Sequence, residues 1–98
     1  MSSKRTIRAL SEGGKVYVYL ASEKIGRIFF RQAEAEGFLF GDGIKPTGKH
    51  YSDIIAVHPD GTLHYVGTYG RMAFHSGDKT VRKIDFEKYI RNETHYVL

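Results

Sequence analysis

The stretch YSDIIAVHPDGTLHYV, residues 51–66, predicts the centre of the fold. At its middle, Pro59 has the φ angle that the first central position of a β-turn needs, and Gly61 can adopt the positive φ that follows. Apolar residues alternate on both sides of this turn, which predicts a hairpin in which Ala56 pairs with His64. The residues that then share one face, and that we expect in the core, are Ile55, Val57, Leu63 and Tyr65.

A helix is predicted upstream of this hairpin, over residues 23–36. Ser22 can accept a backbone N–H bond at its start, and Gly37 is a favoured stop. Its apolar residues follow the helical period, so we expect the helix to pack on the sheet. Residues 38–40 predict a short strand after it.

Residues 6–10 and 15–20 flank a glycine-containing loop, and we predict a second hairpin there. Val16 and Val18 share one face of the later strand, while Tyr17 and Tyr19 lie on the other. These tyrosines are candidates for stacking on nucleic-acid bases or for core positions under a helix or partner chain. The core position is favoured, because tyrosine is a common half-buried strand residue.

The C-terminal third of the chain has a less regular pattern. Residues 67–70 interrupt the strand pattern, and residues 71–75 fit either a helical turn or a strand. Residues 80–84 predict a strand, after which Asp85 can cap a last helix over residues 86–91.

These elements predict one α+β domain over residues 1–98, with ends at 1–5 and 93–98 that we expect to be flexible. We expect a mixed, mostly antiparallel sheet of about five to six strands. One main helix should pack on one face, with a short C-terminal helix beside it.

Composition excludes several classes of function. No apolar run approaches the roughly 18 residues that span a bilayer, so we expect a cytoplasmic protein with no membrane partner. The chain has no cysteine, which excludes disulfides, thiolate catalysis and cysteine-based zinc sites. A net charge of +4 favours acidic partners such as nucleotides or nucleic acid.

The histidines do not predict a metal site, because none of their spacings is that of a known metal motif. His58 and His64 should be diagonal neighbours on the central hairpin, with α-carbons about 7 to 8 Å apart. We expect them to be too far apart to meet without long side-chain reach and a third ligand. The five histidines are His50, His58, His64, His75 and His95.

The loop GIKPTGKH, residues 43–50, is the predicted ligand site. It fits seven positions of the phosphate-loop pattern G-x-x-x-x-G-K-[ST] and fails at the eighth, where His50 has no hydroxyl for magnesium. A strand should follow it, whereas the phosphate loop needs a helix N-terminus. The loop therefore either holds an anion without hydrolysing it or is a mobile basic surface loop. The predicted ligand-binding residues are Gly43, Lys45, Thr47, Gly48, Lys49, His50, Tyr51, Tyr69 and Arg71.

The segment AEAEGFLFGDGIKPT, residues 33–47, resembles small proteins encoded by phages and mobile elements of Gram-positive bacteria. Those proteins share a helix ending in Glu-x-x-Gly, an aromatic-x-aromatic strand, a glycine loop and a Pro-Thr step. The likeness covers about residues 16–66, and this chain has Phe where Trp is common. The resemblance implies an accessory, counter-defence role exercised by binding rather than by catalysis.

Three functions follow as hypotheses. The first is a non-enzymatic, cofactor-free binder of a phosphate-bearing ligand such as a nucleotide second messenger. In this hypothesis Tyr51 or Tyr69 stacks on the base of the ligand, and a homo-oligomer encloses the ligand. The second is an anti-CRISPR-type inhibitor that binds nucleic acid or a host nuclease complex. The third is a protein interaction module without a small ligand. The cations considered for the second are Arg27, Arg31, Arg71, Lys79, Arg82 and Lys83.

Overall fold

The computed structural model describes residues 5–76 and 82–98, which form a five-stranded sheet and four α-helices. In chain order the elements are α1 Ile7–Leu10, β1 Val16–Tyr19, α2 Glu23–Ala35, β2 Leu39–Phe40, a 3-10 helix Pro46–Gly48, β3 Ile54–Val57, β4 Thr62–Tyr65, α3 Thr68–His75, β5 Lys83–Asp85 and α4 Phe86–Ile90. This arrangement confirms the predicted α+β fold class. None of the helices in the described ranges has the length and apolar character needed to cross a membrane.

The strand order is β2-β4-β3-β1-β5. At the centre, β3 pairs antiparallel with both β1 and β4, while the two edge strands β2 and β5 run parallel to their neighbours. The predicted central hairpin is confirmed in its register, because Ala56 pairs with His64 and Val57 with Leu63. Gly61 has the expected positive φ, at 90°.

One face of the sheet, here called the core face, packs against α1, α2 and α4. Phe29 of α2 and Phe86 of α4 are fully buried there, with ring centroids 5.0 Å apart and edge to face. Burial of such rings and of the aliphatic strand residues is the main force that holds the helices on the sheet. The strand residues of the core face are Val16, Val18, Phe40, Ile55, Val57, Leu63, Tyr65 and Ile84.

The opposite face, here called the second face, is covered only in part. Phe74 of α3 lies over Tyr19, with ring centroids 6.4 Å apart, and Gly70 lies beside the Tyr17 hydroxyl. Tyr19 therefore occupies a core-like position under a helix. Tyr17, at the border of α3, and His64 remain half-exposed on the uncovered half of this face.

The predicted N-terminal hairpin is wrong, because Ile7–Leu10 forms a helix. Thr6 caps it, and the backbone N–H groups of Ile7 and Arg8 donate to the Glu36 carboxylate at 2.9 Å each. A carboxylate satisfies the unpaired N–H groups of a helix start. Glu36 lies 29 residues further along the chain from Ile7, so local propensity could not reveal it.

The stretch that follows the central hairpin is also helical, since α3 begins at Thr68, within the predicted interruption. Its last residue is His75, which settles the choice between helical turn and strand. The strand predicted over 80–84 falls partly outside the described residues, and its described part is β5. Asp85 caps α4 as predicted, its side chain accepting the Lys88 N–H.

The C-terminal segment pairs with the outer edge of β5. The backbone N–H of Asp85 donates to the Tyr96 carbonyl at 2.7 Å, and that of Leu98 donates to the Lys83 carbonyl at 3.0 Å. Val97 forms an antiparallel bridge with Ile84 between them. This pairing satisfies backbone groups that an edge strand would otherwise leave open.

Candidate ligand-binding pocket

A pocket of about 350 Å³ lies between α2 and the segment that joins the 3-10 helix to β3. Four of the nine predicted ligand residues contribute to it, and α2 supplies the other wall. Its lining residues are Glu23, Arg27, Phe30 and Arg31 from α2, with Thr47, Lys49, His50 and Tyr51 facing them.

The loop is attached to α2 through Thr47 and Glu34. The Thr47 hydroxyl donates to Glu34 Oε1 at 2.6 Å, and the Thr47 backbone N–H donates to the same atom at 3.2 Å. These bonds hold the pKa of the Glu34 carboxyl below its usual value. The predicted ligand hydroxyl of Thr47 is therefore engaged within the protein, where it fixes the position of the loop.

Tyr51 forms a fixed wall of the pocket. Its hydroxyl donates to the Leu20 carbonyl at 2.6 Å, and its ring lies directly on Gly26 of α2. Burial raises the pKa of the Tyr51 phenol, so the hydroxyl stays protonated and keeps this bond. The contact requires glycine at position 26, because a Cβ there would lie 2.4 Å from Tyr51 Cδ1.

Lys49 also lines the pocket and is paired with Asp42. The bond holds the pKa of Asp42 below its usual value. The Lys49 ammonium also lies 5.2 Å from the Phe40 ring centroid and 5.8 Å from that of Tyr65. His50 stacks on Tyr65, with centroids 4.8 Å apart. These contacts orient both side chains before any ligand arrives.

The two arginines of α2 differ in their partners. Arg27 pairs with Glu23 at 3.0 Å, and both side chains are largely exposed, at 70% and 64%. Arg31 makes no hydrogen bond or ion pair with residues 5–76 or 82–98. Sequence reasoning grouped both with the dispersed cations and missed their place in this pocket. The available signal was their i, i+4 spacing on the helix just before the loop, which places both on one side of it.

The structure places the other predicted ligand residues elsewhere. Arg71 forms a two-pronged ion pair with Asp53, at 2.8 and 2.9 Å, and this pair lowers the pKa of Asp53. Tyr69 is 88% exposed on α3, and Gly43 occupies a turn with φ of 85°. The predicted residues outside the pocket are Gly43, Lys45, Gly48, Tyr69 and Arg71.

Two of the cations proposed for nucleic-acid contact, Arg82 and Lys83, are engaged within the protein. Arg82 donates to the Leu10 and Gly14 carbonyls at 2.7 and 3.1 Å. Lys83 donates to the Phe74 carbonyl at 2.7 Å. Lys79, which belongs to the same hypothesis, lies outside the described residues.

The rings of His58 and His64 meet, with centroids 4.4 Å apart. The expectation that they lie too far apart is therefore wrong, because both side chains project from the second face and lean toward each other across the strand spacing. Within the described ranges, no three histidine, aspartate or glutamate side chains are grouped so that they could hold a metal ion.

Comparison with protein families, with curated proteins and with solved structures found no match for this chain.

Proposed function

We propose that the pocket between α2 and residues 47–51 binds a phosphate-bearing small molecule without changing it chemically. The proposal depends mainly on one observation about Arg31. Its guanidinium lines the pocket together with Arg27 and Lys49, and it has no intramolecular partner among the described residues. Guanidinium groups bind phosphate oxygens through two parallel hydrogen bonds, so Arg31, beside the ion-paired Arg27 and Lys49, favours an anionic ligand.

The size and walls of the pocket support a nucleotide as the ligand. Its volume of about 350 Å³ is near the small end of the range for ligand pockets, roughly 300 to 1,000 Å³. Phe30 and Tyr51 add aromatic surface beside the cations, which suits a base or a sugar next to a phosphate. A nucleotide second messenger has both parts.

The carboxylates around the pocket support binding rather than catalysis. Glu23 is bonded to Arg27, Glu34 to Thr47 and Asp42 to Lys49. The pKa values of Glu34 and Asp42 are lowered by these bonds, whereas a general acid at neutral pH needs a raised pKa. Sequestering a nucleotide signal would also suit the counter-defence role that the resemblance to phage and mobile-element proteins implies. A second copy of the chain closing over the pocket would strengthen binding.

The proposal is tested by thermal unfolding in the presence of inorganic pyrophosphate, nucleoside monophosphates and cyclic dinucleotides. A ligand that binds the folded state raises the melting temperature as its concentration increases. We expect Arg31→Gln to weaken binding of the stabilising compound by about 10- to 150-fold, the effect of losing a charged hydrogen bond of roughly 1.5 to 3 kcal/mol. The absence of stabilisation by every phosphate compound at high concentration would overturn the proposal.

Arg27 and Arg91 provide a matched pair of variants. Arg91 pairs with Glu87 at i, i+4 at the end of α4, as Arg27 pairs with Glu23 on α2. Arg27→Gln and Arg91→Gln therefore remove the same charge and the same type of ion pair. We expect only Arg27→Gln to weaken binding. If both substitutions weaken ligand binding equally, Arg27 acts through its long-range charge and does not contact the ligand in the pocket.

A further inference from the structure

The uncovered half of the second face contains a groove that the proposed function does not use. Across β1, β3 and β4, residues Tyr17, Ala56 and His64 are in register, with the small Ala56 between two ring-bearing side chains. The result is an open groove of about 420 Å³. The other residues that line it include Lys15, His58, Tyr65, Val66, Thr68 and Tyr69, of which Tyr65 contributes only its backbone because its ring lies on the core face.

Two strand spacings separate the residues at the two sides of this groove, Tyr17 and His64. Neighbouring strands are about 4.8 Å apart, so the backbones that carry Tyr17 and His64 are about 10 Å apart. For one planar ring to stack between two others, the planes of the outer rings must be about 7 Å apart, which is twice a carbon–carbon contact distance of about 3.5 Å. A larger residue than Ala56 at the floor would fill this space.

Contacts within the protein orient the walls of the groove. His64 Nε2 lies 3.0 Å from the Thr62 hydroxyl, which itself donates to Asp60 at 2.6 Å. Because that hydroxyl proton goes to Asp60, His64 Nε2 is the donor in its bond to Thr62. On the other side, the Lys15 ammonium lies 5.0 Å from the Tyr17 ring centroid. No carboxylate is among the described residues that line the groove.

We infer that this groove is a stacking site for one base of a single-stranded nucleic acid, with Lys15 near a phosphate and Tyr69 contacting the neighbouring nucleotide. Base stacking on aromatic rings beside a cation is the general mode of single-strand binding. The groove is open and its described lining has one permanent cation, Lys15, so a free mononucleotide would make few contacts in it. A strand adds contacts outside the groove, which the net charge of +4 favours.

The first experiment measures the binding of a fluorescent ten-residue oligothymidylate at low salt. We expect Tyr17→Leu, which keeps apolar bulk but removes the flat ring, to weaken binding at least about fivefold. Lys15→Gln should reduce the salt dependence of log K by about 0.7, the value for one phosphate contact on a single strand. Lys88→Gln is the matched control, since Lys88 is exposed on α4 over the core face. It should leave the salt slope unchanged.

Tyr69→Ser provides a variant whose fold is not in question, because Tyr69 is 88% exposed. It should also weaken oligothymidylate binding, and amide NMR shifts on titration should centre on Tyr17, Ala56, His64 and Tyr69. Unchanged binding in both tyrosine variants would overturn the inference. So would equally tight binding of thymidine monophosphate, or shifts centred on Arg27 and Arg31. This site lies on the opposite sheet face from the α2 pocket, so either proposal can fail alone.

Discussion

Arg31 and Arg71 show that the intramolecular partner of an arginine determines whether its guanidinium is available to bind a ligand. Both were expected to contact a ligand or nucleic acid, but Arg71 is held by both carboxylate oxygens of Asp53, whereas Arg31 has no partner among the described residues. Displacing Asp53 would leave its own charge unpaired, so binding through Arg71 carries an additional cost. Among the described residues, the guanidinium of Arg31 has no such competitor, and for this reason the proposed phosphate site centres on it.

His58 predicts how stability depends on pH. Its burial lowers the pKa of the imidazole, and the neighbouring His64 and Lys15 act in the same direction against an opposing effect of Asp60. The unfolded chain, with a pKa near 6.5, therefore takes up a proton that the folded state resists. The free energy of unfolding should fall as pH decreases from about 7 through 6.5 toward 5, by at most about 1.4 kcal/mol per pH unit from this group. Urea unfolding at several pH values measures this slope.

The contribution of His58 is isolated by substitution. His58→Gln should flatten the slope between pH 7 and 5, because glutamine does not titrate. His95→Gln is the control, since it makes the same substitution at an exposed histidine elsewhere on the surface. An unchanged slope in His58→Gln would show that burial of His58 does not resist protonation.

At the scale of elements, the contact between α2 and the segment before β3 depends on Gly26. Alanine in place of an interior helix glycine normally stabilises a protein by about 0.5 to 1 kcal/mol. Here the new Cβ would lie 2.4 Å from Tyr51 Cδ1, and the hydroxyl bond to Leu20 restrains that ring. We therefore expect Gly26→Ala to lower the free energy of unfolding by about 1 to 3 kcal/mol, the usual cost of overpacking.

A second background separates this clash from other effects of alanine. In a Tyr51→Ala protein, the space opposite Gly26 is free, and Gly26→Ala should become stabilising. Denaturant unfolding of the four proteins measures both effects. If Gly26→Ala has the same sign in both backgrounds, the Tyr51 ring does not determine the requirement for glycine at this position.

The elements predicted correctly have their signals close together in the chain. The turn at Pro59 and Gly61 and the caps Ser22 and Asp85 each depend on residues within a few positions. The start of α1 depends instead on Glu36, which local patterns cannot indicate. In the same way, half of the ligand pocket was predicted from the loop. The other half required knowing that the Arg31 side of α2 faces that loop, which only tertiary packing determines.

For the molecule as a whole, the two ends of the described chain are joined through Arg5. Its guanidinium donates to the Tyr89 and Glu93 carbonyls at 3.2 and 3.0 Å. It also lies 5.3 Å from the Tyr89 ring centroid and 5.0 Å from that of Tyr96. The Tyr89 hydroxyl donates to the Thr6 carbonyl at 2.7 Å. The start of α1, the end of α4 and the C-terminal segment paired with β5 thus form one connected unit.

This connection predicts that Arg5 and Tyr96 stabilise the protein cooperatively. Arg5→Met keeps the aliphatic stem and removes the charge, while Tyr96→Leu removes the ring face. In a double-mutant cycle by urea unfolding, we expect a coupling of about 0.5 to 2 kcal/mol, as for a cation over an aromatic ring. The matched pair is Arg5→Met with Tyr51→Leu, two sites without a shared contact, whose effects should add. Arg5→Met removes the carbonyl bonds of Arg5 whether or not Tyr96 is present, so their contribution cancels in the cycle. If the effects of Arg5→Met and Tyr96→Leu add within about 0.3 kcal/mol, the Tyr96 ring does not link the two residues.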